Sequence, residues 1–107
     1  MLVIKDKFLD IDQIVSAVIS AVVQAGGRCT FGIDVSEWSG DNIRALIAKT
    51  REEAKAKGVN LKGIRAGADV IYKLGGLAKG WENARFEDDL PVVSVPDFGM
   101  MDMVFRP

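Results

Sequence analysis

The sequence predicts an α/β fold, a single-domain mixed sheet with helices packed on it, in the order β-α-β-α-β-α-β-β over residues 1–107. Three observations predict it. Apolar residues recur at helical spacing in some stretches and as short β-branched runs in others, and the two kinds alternate along the chain. Glycines punctuate the boundaries, at Gly26-Gly27, Gly58 and Gly75-Gly76. The length of 107 residues suits one domain, and 49% apolar with 27% charged residues suits a packed core rather than a disordered chain.

Leu2, Val3 and Ile4 predict a short opening strand. Asp10 is placed to cap a helix, with Gln13 three residues on to complete a capping box and Leu9 and Ile14 available as a hydrophobic staple. Ile11, Ile14, Val15, Val18, Ile19 and Val22 form one apolar stripe, and Ala17, Ala21 and Ala25 widen it with small residues. From Gln13 to Gly27 this helix carries no charge. A surface helix in so charged a chain should show Lys and Glu outward, so a second cover is expected, inside the fold or on another subunit.

Thr30 to Val35 reads as a buried strand, and Ser36 to Asn42 as a polar loop holding Trp38. Ser39 or Asp41 can cap the second helix, whose inward residues are Ile43, Leu46, Ile47, Thr50 and Ala54. Its outer face is charged in the ordinary way, with Glu53 and Lys57 four apart in the favourable order. Val59 to Ile64 is the next strand, Ala66 and Gly67 a turn, and Asp69 the start of a short helix with Val70, Ile71 and Leu74 inward. Gly80 to Asp89 reads as a loop with Trp81 and Phe86. Leu90 to Val95 and Met101 to Phe105 predict a hairpin joined by Pro96-Asp97-Phe98-Gly99.

Composition excludes several function classes. Net charge is -1, so nucleic acid and membrane surfaces exert no overall pull. Histidine is absent, which removes Ser–His and Cys–His nucleophile pairs and the common zinc sites. Cys29 is the one cysteine, so no internal disulfide forms and a cytoplasmic location is expected. Arg28 beside it could lower its pKa, but a small strand residue is the simpler reading. The opening residues lack the pattern of a signal peptide. No cofactor, metal or enzymatic activity is expected, and the partner is a second copy of the chain or another protein. Charge is unevenly placed: Arg44 to Lys79 carries nine Lys/Arg against three acids, or +6, and the remainder carries -7.

The candidate sites are few. Ser39 stands where helix amides would stabilise a phosphate, and equally where a plain cap is needed. Asp34, Glu37 and Asp41 cluster around one loop; the alternative they carry is a small enzyme or ligand-binding domain that uses them to hold a divalent cation or small ligand. The Glu87-Asp88-Asp89 run diverges too much to chelate alone. Interface candidates are Ala17, Ala21, Ala25 and Val22 on the first helix, and Met100, Met101 and Met103 in the soft C-terminal hairpin.

Two stretches resemble known families. Leu9-Asp10-Ile11, Ile33-Asp34-Val35-Ser36, Ser39-Gly40, Gly58-Val59 and Gly76-Leu77 make residues 9–77 similar to the STAS domain of anti-sigma factor antagonists. That resemblance implies a regulatory phosphoswitch with Ser39 as the modified residue. The loop is shorter than that family's acid-Ser-Ser-Gly pattern, and Trp38 intrudes. Residues 45–105, with Leu61 to Ile64, Asp69 to Leu74 and Leu90-Pro91-Val92-Val93, resemble a segment of tailed-phage major capsid proteins. That resemblance implies a role in assembly. The leading expectation is a non-enzymatic interaction or assembly module that self-associates through the uncharged helix or the Met-rich hairpin.

Overall fold

Local capping starts the first two helices where the sequence places them. In the computed structural model, which describes residues 2–3, 10–75, 85–86 and 90–107, α1 spans Ile11–Gln24 and Asp10 accepts a hydrogen bond from the Gln13 backbone N–H at 3.2 Å. Helix α2 spans Gly40–Ala56, and the Ser39 hydroxyl accepts from the Asn42 N–H at 3.2 Å. A third helix, α3, spans Ala68–Lys73.

The described residues form six strands: β1 (Leu2–Val3), β2 (Cys29–Asp34), β3 (Asn60–Gly67), β4 (Arg85–Phe86), β5 (Leu90–Val95) and β6 (Met100–Arg106). They form one mixed sheet in the order β1-β2-β6-β3-β5-β4, in which the four long strands lie together at the centre. β1, β2, β3 and β5 run parallel, and β6 is antiparallel to both of its neighbours. The three helical crossovers, β1 to β2, β2 to β3 and β3 to β5, all step the same way across the sheet. Right-handed crossovers therefore place all three helices on one face.

That face holds the core. Ile14, Val15, Val18, Ile19 and Val22 of α1 and Ile43, Leu46, Ile47 and Ala54 of α2 pack in one cluster with Ile33, Ile64, Met101, Met103 and Phe105 of the strands. The radius of gyration is 12.8 Å, against about 13 Å for a folded chain of this length.

Two sequence expectations are corrected. β5 and β6 are not a hairpin: β3 lies between them, and β6 pairs with β2 from Cys29↔Phe105 to Asp34↔Met100 and with β3 from Asn60↔Arg106 to Ala66↔Met101. The four residues from Pro96 to Gly99 are long enough to cross one strand, about 10 Å at two sheet spacings. A turn motif alone does not tell a hairpin from such a crossing. Ala66 and Gly67 are also strand rather than turn, paired with Ser94 and Val95. Between Gly80 and Asp89 the structure describes only β4, which pairs Arg85 with Pro91 and Phe86 with Leu90. Ile4, Leu9, Leu77, Trp81 and the 87–89 acidic run lie outside the described residues.

Candidate functional site

The carboxyl ends of the parallel strands gather most of the candidate residues. After β2 the chain turns through Val35 to Trp38, with the Trp38 N–H donating to the Val35 carbonyl at 3.0 Å. Trp38 is buried, and it seats the loop in the core. From the other side Lys73, at the end of α3, donates its Nζ protons to the carbonyls of Ser36 at 3.0 Å and Trp38 at 2.9 Å. The Lys73 carbonyl accepts in turn from Arg44 Nη1 at 3.0 Å, and Arg44 also pairs with Asp41. The loop bearing Ser39 is thus held between two cations and the helix it caps.

A second latch closes the same end. Asp69 receives the Gly99 N–H on both carboxylate oxygens, at 3.0 and 2.9 Å, and the Gly99 carbonyl accepts from the Val35 N–H at 2.8 Å. Gly99 adopts φ +75°, and a Cβ there would stand 2.6 Å from the Ser36 Cβ. Gly67 is equally constrained, since the Asp97 carbonyl occupies the direction its side chain would take. The β5–β6 crossing therefore lies against both β3 and the Ser36 loop.

The three acidic candidates take separate roles. Asp34 accepts from the Ser36 hydroxyl at 2.6 Å and from the Ser36 backbone N–H at 2.9 Å. These two hydrogen bonds, the hydroxyl first, hold its carboxyl below the usual carboxylate range and outweigh the opposing effect of burial. Asp41 is ion-paired with Arg44, and Glu37 is exposed. Among the described residues no three acidic or Cys side chains gather in a way that could hold a metal ion, so Asp34, Glu37 and Asp41 do not form the cation site considered from sequence. Ser39 is exposed at the α2 N-terminus and serves as its cap.

The interface candidates divide. Met101 and Met103 are fully buried in the core, which corrects the expectation of a Met-rich contact surface. The reason is topological: a strand between two others turns alternate side chains under the helices. Met100, out of phase with them, is half-buried on the opposite face. On α1, Val22 is fully buried, Ala21 half-buried, and Ala17 and Ala25 exposed. Around the two exposed alanines stand Gln13, Ser16, Ser20, Val23 and Gln24, all exposed, with Val23 at 48%. The one acid of the helix, Asp12, reaches Lys49 of α2 at 2.9 Å. Beside this pair a groove of about 820 Å³ runs between the helices, with Val15, Ser16, Ile19, Ser20 and Val23 on one wall and Lys49 among the residues of the other.

Cys29 is a half-buried free thiol packed against the core. No helix among the described residues is long and apolar enough to cross a membrane. Set against protein-family models, curated proteins and solved structures, the chain matches none.

Proposed function

We propose that this chain is a non-enzymatic assembly module that self-associates through the outward face of α1. The observation that carries the reading is the exposed, uncharged surface of Gln13, Ser16, Ala17, Ser20, Val23 and Gln24 beside the α1–α2 groove. A solvated helix normally shows charge there, as α2 does with Arg44, Lys49, Glu52, Glu53 and Lys55. Ser16, Ala17 and Ser20 are small enough to let another helix approach closely. The 14 residues of α1 give about 21 Å of contact, a short interface that suits weak, concentration-dependent association. Ala17→Glu places a charge in the middle of that contact and leaves the buried stripe alone. Sedimentation equilibrium should show self-association of the wild type and a clear reduction of it in the variant. A wild type that stays a monomer into the high micromolar range removes the reading.

A second reading, a STAS-like phosphoswitch at Ser39, is favoured by one observation. Lys73 Nζ lies 2.9 Å from the carbonyl of Trp38, the residue just before Ser39, so a cation already stands beside an exposed serine at a helix N-terminus. Ser39→Asp should then change partner binding while the thermal midpoint holds. Equal affinity of both forms for the partner counts against it.

A further inference from the structure

Among the described residues all three helices lie on one side of the sheet, and no helix or strand packs on the other. That second face is built from the residues of β2, β6, β3 and β5 that alternate with the core ones. Its centre is the pair of strands β6 and β3. Asp102 of β6 stands beside Arg65 of β3 in register, and one row along Val104 stands beside Gly63. Arg65 is exposed and Asp102 half-buried. The two form no ion pair with each other, unlike Arg44 with Asp41 or Lys49 with Asp12. Gly63 leaves a shallow hole: in the direction of its missing side chain the nearest atom is the Pro91 carbonyl oxygen at 3.7 Å.

We infer that this open face pairs with the same face of a second copy, about a two-fold axis along the line between β3 and β6. A self-complementary surface requires each residue and its counterpart to exchange places across the axis. This axis does so in both rows. It sets Arg65 against the partner's Asp102 and Asp102 against the partner's Arg65. It also sets Val104 over the hole at the partner's Gly63, and the reverse. The occupant is a second copy because charge and shape complement each other about the same axis. Val93, 55% exposed on β5 beside Arg65, extends the apolar area toward the rim. Four strands about 4.8 Å apart and five residues long give a face of roughly 19 by 17 Å. That is about 320 Å² per copy, below the roughly 800 Å² per partner of a standard interface, so the dimer is weak and transient. It uses the layer opposite α1 and stands independently of the α1 contact.

The test is a charge-reversal mixing experiment in the Ala17→Glu background, which removes the α1 contact. The Ala17→Glu protein should still dimerise. Adding Arg65→Glu sets a carboxylate against the partner's Asp102 on both sides of the axis, and adding Asp102→Arg sets two arginine pairs together. Each should weaken association at least about tenfold. Mixed one to one, the two variants pair Glu with Arg and Asp with Arg across the same axis, and a heterodimer should return. Gly63→Val is the second line, since a valine fits the strand but fills the hole, so dimerisation should fall while the thermal midpoint holds. A monomeric Ala17→Glu protein, single reversals that associate like their parent, or a mixture that stays monomeric each overturn the inference. Failure of the α1 reading alone leaves the Ala17→Glu protein as associated as the wild type, and the mixing result unchanged.

Discussion

Thr50 offers the sharpest energetic prediction. It sits on the inward face of α2, one turn from Leu46, Ile47 and Ala54, and is fully buried. Its hydroxyl oxygen has no hydrogen-bond partner among the described residues. A buried hydroxyl without a partner costs about 1 to 3 kcal/mol. Thr50→Val keeps the shape and removes the polar group, and the two residues differ little in helix propensity. The net gain should be about 1 kcal/mol, near the low end because a helical threonine can relax toward its own backbone. For a chain of this size that raises the thermal midpoint by about 4 °C. Thr50→Ser keeps the hydroxyl but loses the methyl group, so it should fall by about 1 kcal/mol. Calorimetry or thermal circular dichroism on the three proteins gives the order Val, Thr, Ser. A valine variant at or below the wild type refutes the reasoning, because it would mean that the hydroxyl is satisfied.

Further predictions concern the loop bearing Ser39 and its latches. Lys73→Met removes two charge-assisted bonds to the Ser36 and Trp38 carbonyls, and should cost about 2 kcal/mol and red-shift tryptophan emission. Gly67→Ala drives a methyl group into the Asp97 carbonyl, and should cost about 3 kcal/mol or more by denaturant titration. Asp34 has a depressed carboxyl pKa when folded, so its contribution is present above the unfolded carboxylate pKa and is lost as pH falls through the folded one. Ser36→Ala should move the Asp34 midpoint upward in a carboxyl carbon NMR titration and weaken the dependence of stability on acid; an unmoved midpoint contradicts the assignment.

What the sequence made legible was mostly local. Asp10 and Ser39 announce helix starts because a cap acts within three residues. The uncharged side of α1 was readable as well, since helical spacing alone puts Ser16, Ala17 and Ser20 together. What the sequence hid was pairing at long range. β6 reads the same whether its neighbour is β5 or β3, so the hairpin was the natural expectation, and the burial of Met101 and Met103 followed only from β6 standing at the sheet centre. Trp38 looked like an intruder in a polar loop and is a core residue, because the loop folds back under the Lys73 clamp. Asp34, Glu37 and Asp41 are close in sequence, yet Asp34 and Asp41 turn to different partners, Ser36 and Arg44. The Arg65–Asp102 row is invisible without the register, since 37 positions separate its members.

Self-association through α1 is the central claim, and sedimentation equilibrium of the wild type beside Ala17→Glu tests it most directly. The expected result is a concentration-dependent rise in mass for the wild type, with a clear reduction in the variant. A wild type that sediments as a monomer throughout the micromolar range, or a variant that matches it at every concentration, contradicts the role given to α1.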